Sequence, residues 1–221
     1  MNLPSHEATG TGQRETARKR IFRTAAQLFA ERGFHGTSIR DIAAASEVSV
    51  STVLYHAGSK QQLLERILAD SFSGQTPLLQ AALQLDPAAM PDFEAFLSAH
   101  DAFIDVLIEH SVEFPQTRRL WLRLLLDEPE LFAKLDAEYS RPLVERVMTL
   151  LQTLRDRRIL ATSDEQLRLF VASIDWILDG FFSGGNPTGD ALGQPLPHAA
   201  DVQHLAAFLK AHGRSFFTPR S

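Results

Sequence analysis

Residues Thr37 to Gln62, TSIRDIAAASEVSVSTVLYHAGSKQQ, carry so many helix start and stop signals that few folds remain open to them. Ser38 is placed to cap a helix, with Asp41 three residues on as its acidic partner in a capping box. Ile39, Ile42 and Ala43 then share one helical face. Ser46-Glu47 reads as a turn. Ser49 caps a second short helix with Val50, Val53 and Leu54 on its apolar side. Ser59 opens a third, with Gln62 at the box position. Two short helices at this spacing form a helix-turn-helix, which lays its second helix in the DNA major groove. The same pattern also fits an ordinary helical hairpin.

The preceding segment narrows the choice. Thr16 to Arg32 puts Ile21, Ala25, Leu28 and Phe29 on one face, and Gly33 stands where a helix C-cap needs a left-handed residue. From Ala25 to Leu64 the landmarks run Leu28-Phe29, Gly33-Phe34, Gly36-Thr37, Ile42-Ala43, Val48-Ser49, Thr52, Ser59-Lys60 and Leu63-Leu64. In that order they resemble the TetR/AcrR family of ligand-responsive transcriptional repressors. The sequence departs from the family pattern at four places: Glu47 replaces the turn glycine, Val50 a basic residue, Leu54 a tyrosine and Ala57 a phenylalanine. Tyr55 and His56 remain. The resemblance implies an all-α protein, with a three-helix head (14–59), a connecting helix (60–72) and a helical ligand-binding and dimerisation body (73–221), after a disordered tail (1–13).

Charge is distributed to match. The chain carries a net −5, yet residues 14–72 hold nine Lys/Arg against six Asp/Glu, while residues 73–221 hold thirteen against twenty. A basic head on an acidic body suits nucleic-acid binding confined to one end. Cysteine is absent, which excludes disulfide and thiolate chemistry. No apolar run approaches the roughly 20 residues of a membrane span, and the first residues lack the apolar core of a signal peptide, so a soluble cytoplasmic protein is expected.

Beyond Ser73-Gly74-Gln75-Thr76-Pro77 the periodicity stays helical. Pro115 opens one helix, and Pro142 is expected to kink or split another near Ser140. From Ser163 and from Ala199, apolar residues recur at 3–4 spacing through Phe181 and Phe216, separated by a Gly/Pro-rich loop at 186–197. The resemblance implies that these two helices pair with their two-fold mates in a homodimer; burial within a single monomer explains the same pattern.

Catalytic and metal-binding motifs are missing. There is no G-x-S-x-G, P-loop or H-E-x-x-H, and none of the eight histidines has a glutamate three residues before it. No enzyme activity, metal or cofactor is expected. Polar residues within apolar stretches of the body, His100, Arg123, Tyr139, Asp175 and Asp179, with Trp121 and Trp176 as walls, are the candidates for a pocket taking a mostly apolar small-molecule effector. Each also fits a purely structural role. In the head, Ser49, Ser51, Thr52, Tyr55 and His56 are the candidates to meet base edges and phosphates of double-stranded operator DNA. Ser38, Arg40 and Lys60, each at the start of a helix, are the candidates to clamp phosphates. The expected function is a repressor released by its ligand. The alternative is a helical small-molecule-binding protein or enzyme that has lost DNA binding, and Leu54 and Ala57 give it weight.

Overall fold

Side-chain caps set the helices of the head. The computed structural model describes residues 16–71, 77–184 and 199–220. Thr16 accepts from the Lys19 amide to start α1 (Ala17–Arg32), and Gly33 at φ 76° ends it. The expected box forms at α2 (Ile39–Ala45): the Ser38 amide donates to the Asp41 carboxylate at 2.8 Å, and the Asp41 amide returns to the Ser38 hydroxyl at 3.1 Å. Ser49 caps α3 (Val50–Ala57), and Ser59 with Gln62 forms the reciprocal pair at α4 (Lys60–Ser71). Glu47 holds the turn between α2 and α3 at φ 53°, the left-handed conformation expected at this place.

The body continues through α5 (Pro77–Gln84), α6 (Phe93–Glu113), α7 (Pro115–Asp127), α8 (Pro129–Leu135), α9 (Arg141–Asp156), α10 (Asp164–Gly184) and α11 (Ala199–Phe216). Prolines open α5, α7 and α8, where the amide that proline lacks has no partner in the helix anyway. Pro142 likewise falls in the first turn of α9. The chain breaks instead in a single π-helical turn, Asp136–Ser140, immediately upstream. Among the described residues there is no strand, only an isolated bridge between Leu160 and Pro219, and no helix is long and apolar enough to cross a membrane. The expected tail (1–13), the boundary at 73–76 and the loop 186–197 lie outside the described residues.

Two hydrophobic cores result. One joins α5, α6, α9, α10 and α11, with Phe217 packed in beside Phe96 and Phe170. The other holds α1 to α4, and it does not close on itself: Leu120 and Leu124 of α7 and Leu135 of α8 are buried in it. The head therefore shares its core with α7 and α8.

Candidate nucleic-acid interface and effector cavity

Helix α3 turns only Val53 and Ala57 inward. Val50 and Leu54, expected on its apolar side, stand out at 40% and 46% exposure, and Tyr55 is 85% exposed. Leu54 is therefore not packed against α1. At the N-terminal end of α3 three hydroxyls cluster: Ser49 Oγ lies 2.8 Å from Ser51 Oγ and 2.7 Å from Thr52 Oγ1. The His56 ring packs edge-on against Tyr55 at 5.1 Å, and the His56 carbonyl accepts from Arg66 at 2.8 Å. Arg40 is exposed on α2, whereas the Ser38 hydroxyl is engaged in its cap.

Lys60 differs from expectation. Its ammonium donates to the carbonyls of Phe34 (2.8 Å) and Thr37 (3.1 Å) and sits 4.2 Å over the Phe34 ring. Three ligands turn it inward, so it braces the connection between α1 and α2 rather than standing free for a phosphate. The sequence pattern marked the helix start correctly but carried no sign of these carbonyls, which arrive from more than twenty residues upstream.

Two adjoining cavities occupy the body. The first, about 110 Å³, is walled by Met90, Phe96, Phe103, Leu107, Leu151, Phe170, Ile174 and Phe217, and among the described residues His100 and Asp175 are the only polar ones that line it. His100 Nδ1 lies 3.1 Å from the Asp101 carboxylate, and Nε2 has no hydrogen-bond partner. Burial holds this imidazole below its ordinary pKa, against the opposing pull of Asp101. The second cavity, also about 110 Å³, shares Leu107, Leu143, Val144 and Asp175 with the first, but more polar groups line it. There Arg118 reaches Asp175 at 3.3 Å and Asp179 at 3.1 Å, beside His110. Burial raises the Asp179 carboxyl, partly offset by Arg118. Burial and the Arg118 charge push His110 down to about 4.

The structure thus brings His100, Trp121, Asp175 and Asp179 to the cavity pair and leaves three candidates elsewhere. Trp176 is 60% exposed on the outer face of α10, because its position on the helix points away from the core side of Ile174 and Leu178. Arg123 donates to the Glu31 carbonyl at 2.8 Å, which places it at the contact between α7 and α1. Tyr139 packs against the shared head core, where burial and then Glu138 push its phenol up to about 12. Arg118 and His110 were not among the pocket candidates read from the sequence. The usable signal was Asp175 and Asp179 one helical turn apart, since two carboxylates facing inward on one helix call for a cation. Among the described residues no group of acidic and histidine side chains could hold a metal.

Comparison with known proteins places these features. Residues 21–67 match the family model described as bacterial regulatory proteins, tetR family. The HTH-type transcriptional repressor Rv3405c of Mycobacterium tuberculosis is 43% identical over 76 residues, 34% of this chain and 40% of the relative. The HTH-type transcriptional regulator RutR of Escherichia coli is 30% identical over 141 residues, 62% of this chain and 63% of RutR. The chain thus matches under two thirds of the length of either relative. The crystal structure of the TetR-family transcriptional regulator PfmR from Thermus thermophilus superimposes with a TM-score of 0.65 at 20% identity, covering 94% of this chain and 98% of that one.

Proposed function

We propose that this chain, which by its helix-turn-helix head and its fold belongs to the TetR family of bacterial regulatory proteins, is a dimeric DNA-binding transcriptional repressor released from its operator by a small, mostly apolar molecule. The observation that carries this reading is α3. It is a short, capped helix whose inner side is locked into the head core and whose outer side, Val50, Ser51, Leu54 and Tyr55, stands exposed. Its hydroxyl cluster and Tyr55 meet the groove and its rim. Arg40 and His56 lie beside phosphates, and Lys60 fixes the frame that presents them.

Pairing supplies the second half-site. Leu169 and Trp176 on α10 and Phe208 on α11 leave an apolar face uncovered, at 69%, 60% and 56% exposure. A two-fold dimer through this face sets two recognition helices about 34–36 Å apart, one turn of DNA. The effector seats in the apolar cavity between α6, α9 and α10, its polar end toward Asp175 and Arg118. Repression takes place in the cytoplasm, on chromosomal DNA.

A mobility-shift titration of the full chain on the promoter region beside its own gene tests the reading. The expected result is a shift that weakens steeply with salt, with a log–log slope of roughly −0.9 per neutralised phosphate. If no duplex is bound even at low salt, the reading falls in favour of a helical small-molecule carrier.

A further inference from the structure

A helix that enters a major groove commonly reads it with long polar side chains. Arginine or lysine pairs with guanine, and asparagine or glutamine pairs bidentately with adenine. The eight residues of α3, VSTVLYHA, contain none of these. The ridge it offers is apolar. Val50 and Leu54, four residues apart and so on one face, are 40% and 46% exposed. They are not needed by the core, which Val53 and Ala57 of the same helix complete with no exposure at all. The neighbouring hydroxyls of Ser51 and Thr52, each tied to Ser49, can bond to any base and so discriminate little between them.

On the edges of the four base pairs, one group is recognised by apolar contact: the C5-methyl of thymine, presented in the major groove. We propose that Val50 and Leu54 read thymine methyl groups. The operator half-site then presents thymines to this ridge, and its sequence preference on α3 comes from burying methyls rather than from bidentate hydrogen bonds. The inference rests on the placement of α3 in the major groove argued above and adds the chemistry by which it chooses sites. The duplex is favoured as the occupant of the ridge because residues 14–72 around it hold nine Lys/Arg against six Asp/Glu in a chain of net −5.

The full-length protein is used to select sites from a random duplex pool, and the enriched half-site is then remade with deoxyuridine at single thymines. That change removes one methyl and leaves every hydrogen-bonding group in place. The expected result is a three- to fivefold loss of affinity at one or two positions, about the worth of one buried methyl. Leu54→Ala is expected to bind the thymine and uridine duplexes equally at one of those positions. Its thermal unfolding and its affinity for unrelated duplex should stay unchanged, because Leu54 supports neither the core nor the phosphates. A wild-type protein indifferent to uridine at every thymine, or an enriched site without thymine, overturns the proposal and leaves DNA binding standing. A pool with no enrichment and no bound duplex overturns both. A Leu54→Ala variant that changes sedimentation but not DNA affinity assigns the ridge to self-association instead, and also overturns it.

Discussion

Glu47 holds a backbone conformation that suits glycine, at φ 53° in the turn between the two helices of the motif. A side chain there costs about 1–2 kcal/mol, and glycine returns part of that through its freer unfolded chain. Glu47→Gly is expected to stabilise the protein by about 0.5–1 kcal/mol, read as a higher melting temperature. This strain was legible through the family resemblance, because Glu47 stands where that family has its turn glycine. Lys60 was not, because its partners come from the connection between α1 and α2. Removing a half-buried, charge-assisted donor leaves two carbonyls short of a partner. Lys60→Met is therefore expected to lower stability by about 1–2 kcal/mol in urea titration while leaving the salt slope of DNA binding nearly unchanged. His110 makes stability depend on pH. Folded, it titrates at about 4, pushed down by burial and by Arg118, against its ordinary 6.5. Between those values the unfolded chain binds a proton that the native chain does not, so its contribution is intact above pH 6.5 and is lost as pH falls towards 4. The wild type should lose about 2 kcal/mol more stability than His110→Gln between pH 7 and pH 5, measured by urea unfolding at both.

Helices α10 and α11 show what periodicity can and cannot resolve. The 3–4 spacing gave both helices, and Ser163 with Gln166 caps the first of them through a reciprocal pair. It did not say which side is uncovered, because α10 is apolar over most of its circumference. Phe181 and Leu205, natural choices for an interface by pattern, pack on the body core, and Leu205 is 8% exposed. The open face is Leu169, Trp176 and Phe208, with Gly180 on the same helix, where an added Cβ would meet nothing within 4 Å. If this face pairs two copies, Trp176→Glu with Phe208→Glu yields a folded monomer in sedimentation, since both side chains already face solvent. Leu205→Glu, by contrast, unfolds the body by burying an unpaired charge. A dimer that persists in the first variant excludes this face. The candidate pocket was legible to the same partial degree. Of the candidates picked out inside apolar runs, His100, Asp175 and Asp179 line the two cavities. Trp176 and Arg123 lie outside that lining, because a polar or aromatic residue on a helix with two packed sides carries no mark of which neighbour it faces.

The whole molecule is tied together by α7. One side of it inserts Leu120 and Leu124 into the head core, and Arg123 donates to the Glu31 carbonyl at the end of α1. The other side supplies Thr117, Arg118 and Trp121 to the second cavity. A buried hydrogen bond of 2.8 Å joins Thr117 to Ser71, the last residue of α4. Lys134 adds a surface pair to Glu65 on α4, and His35 pairs with Glu128 at the turn after α7. Packed helices move as units, so if an effector displaces Arg118 from Asp175 and Asp179, α7 would shift and carry α1 and α4 with it. Under the proposed function, the effector and the operator would then compete through two states of this one element. Such coupling is reciprocal: whatever factor the effector takes from DNA affinity, DNA takes from effector affinity. Thr117→Val removes the hydroxyl that links α7 to α4 and keeps its volume. Ser71 retains its bond to the Ile67 carbonyl, so the variant is expected to fold with little loss of stability. It is also expected to bind the operator and the effector separately with near wild-type affinity, while the factor by which each weakens the other falls several-fold. Titrating operator affinity with and without saturating effector measures that factor. An unchanged factor in a variant with both affinities intact would show that the head is moved by some route other than the Ser71–Thr117 contact.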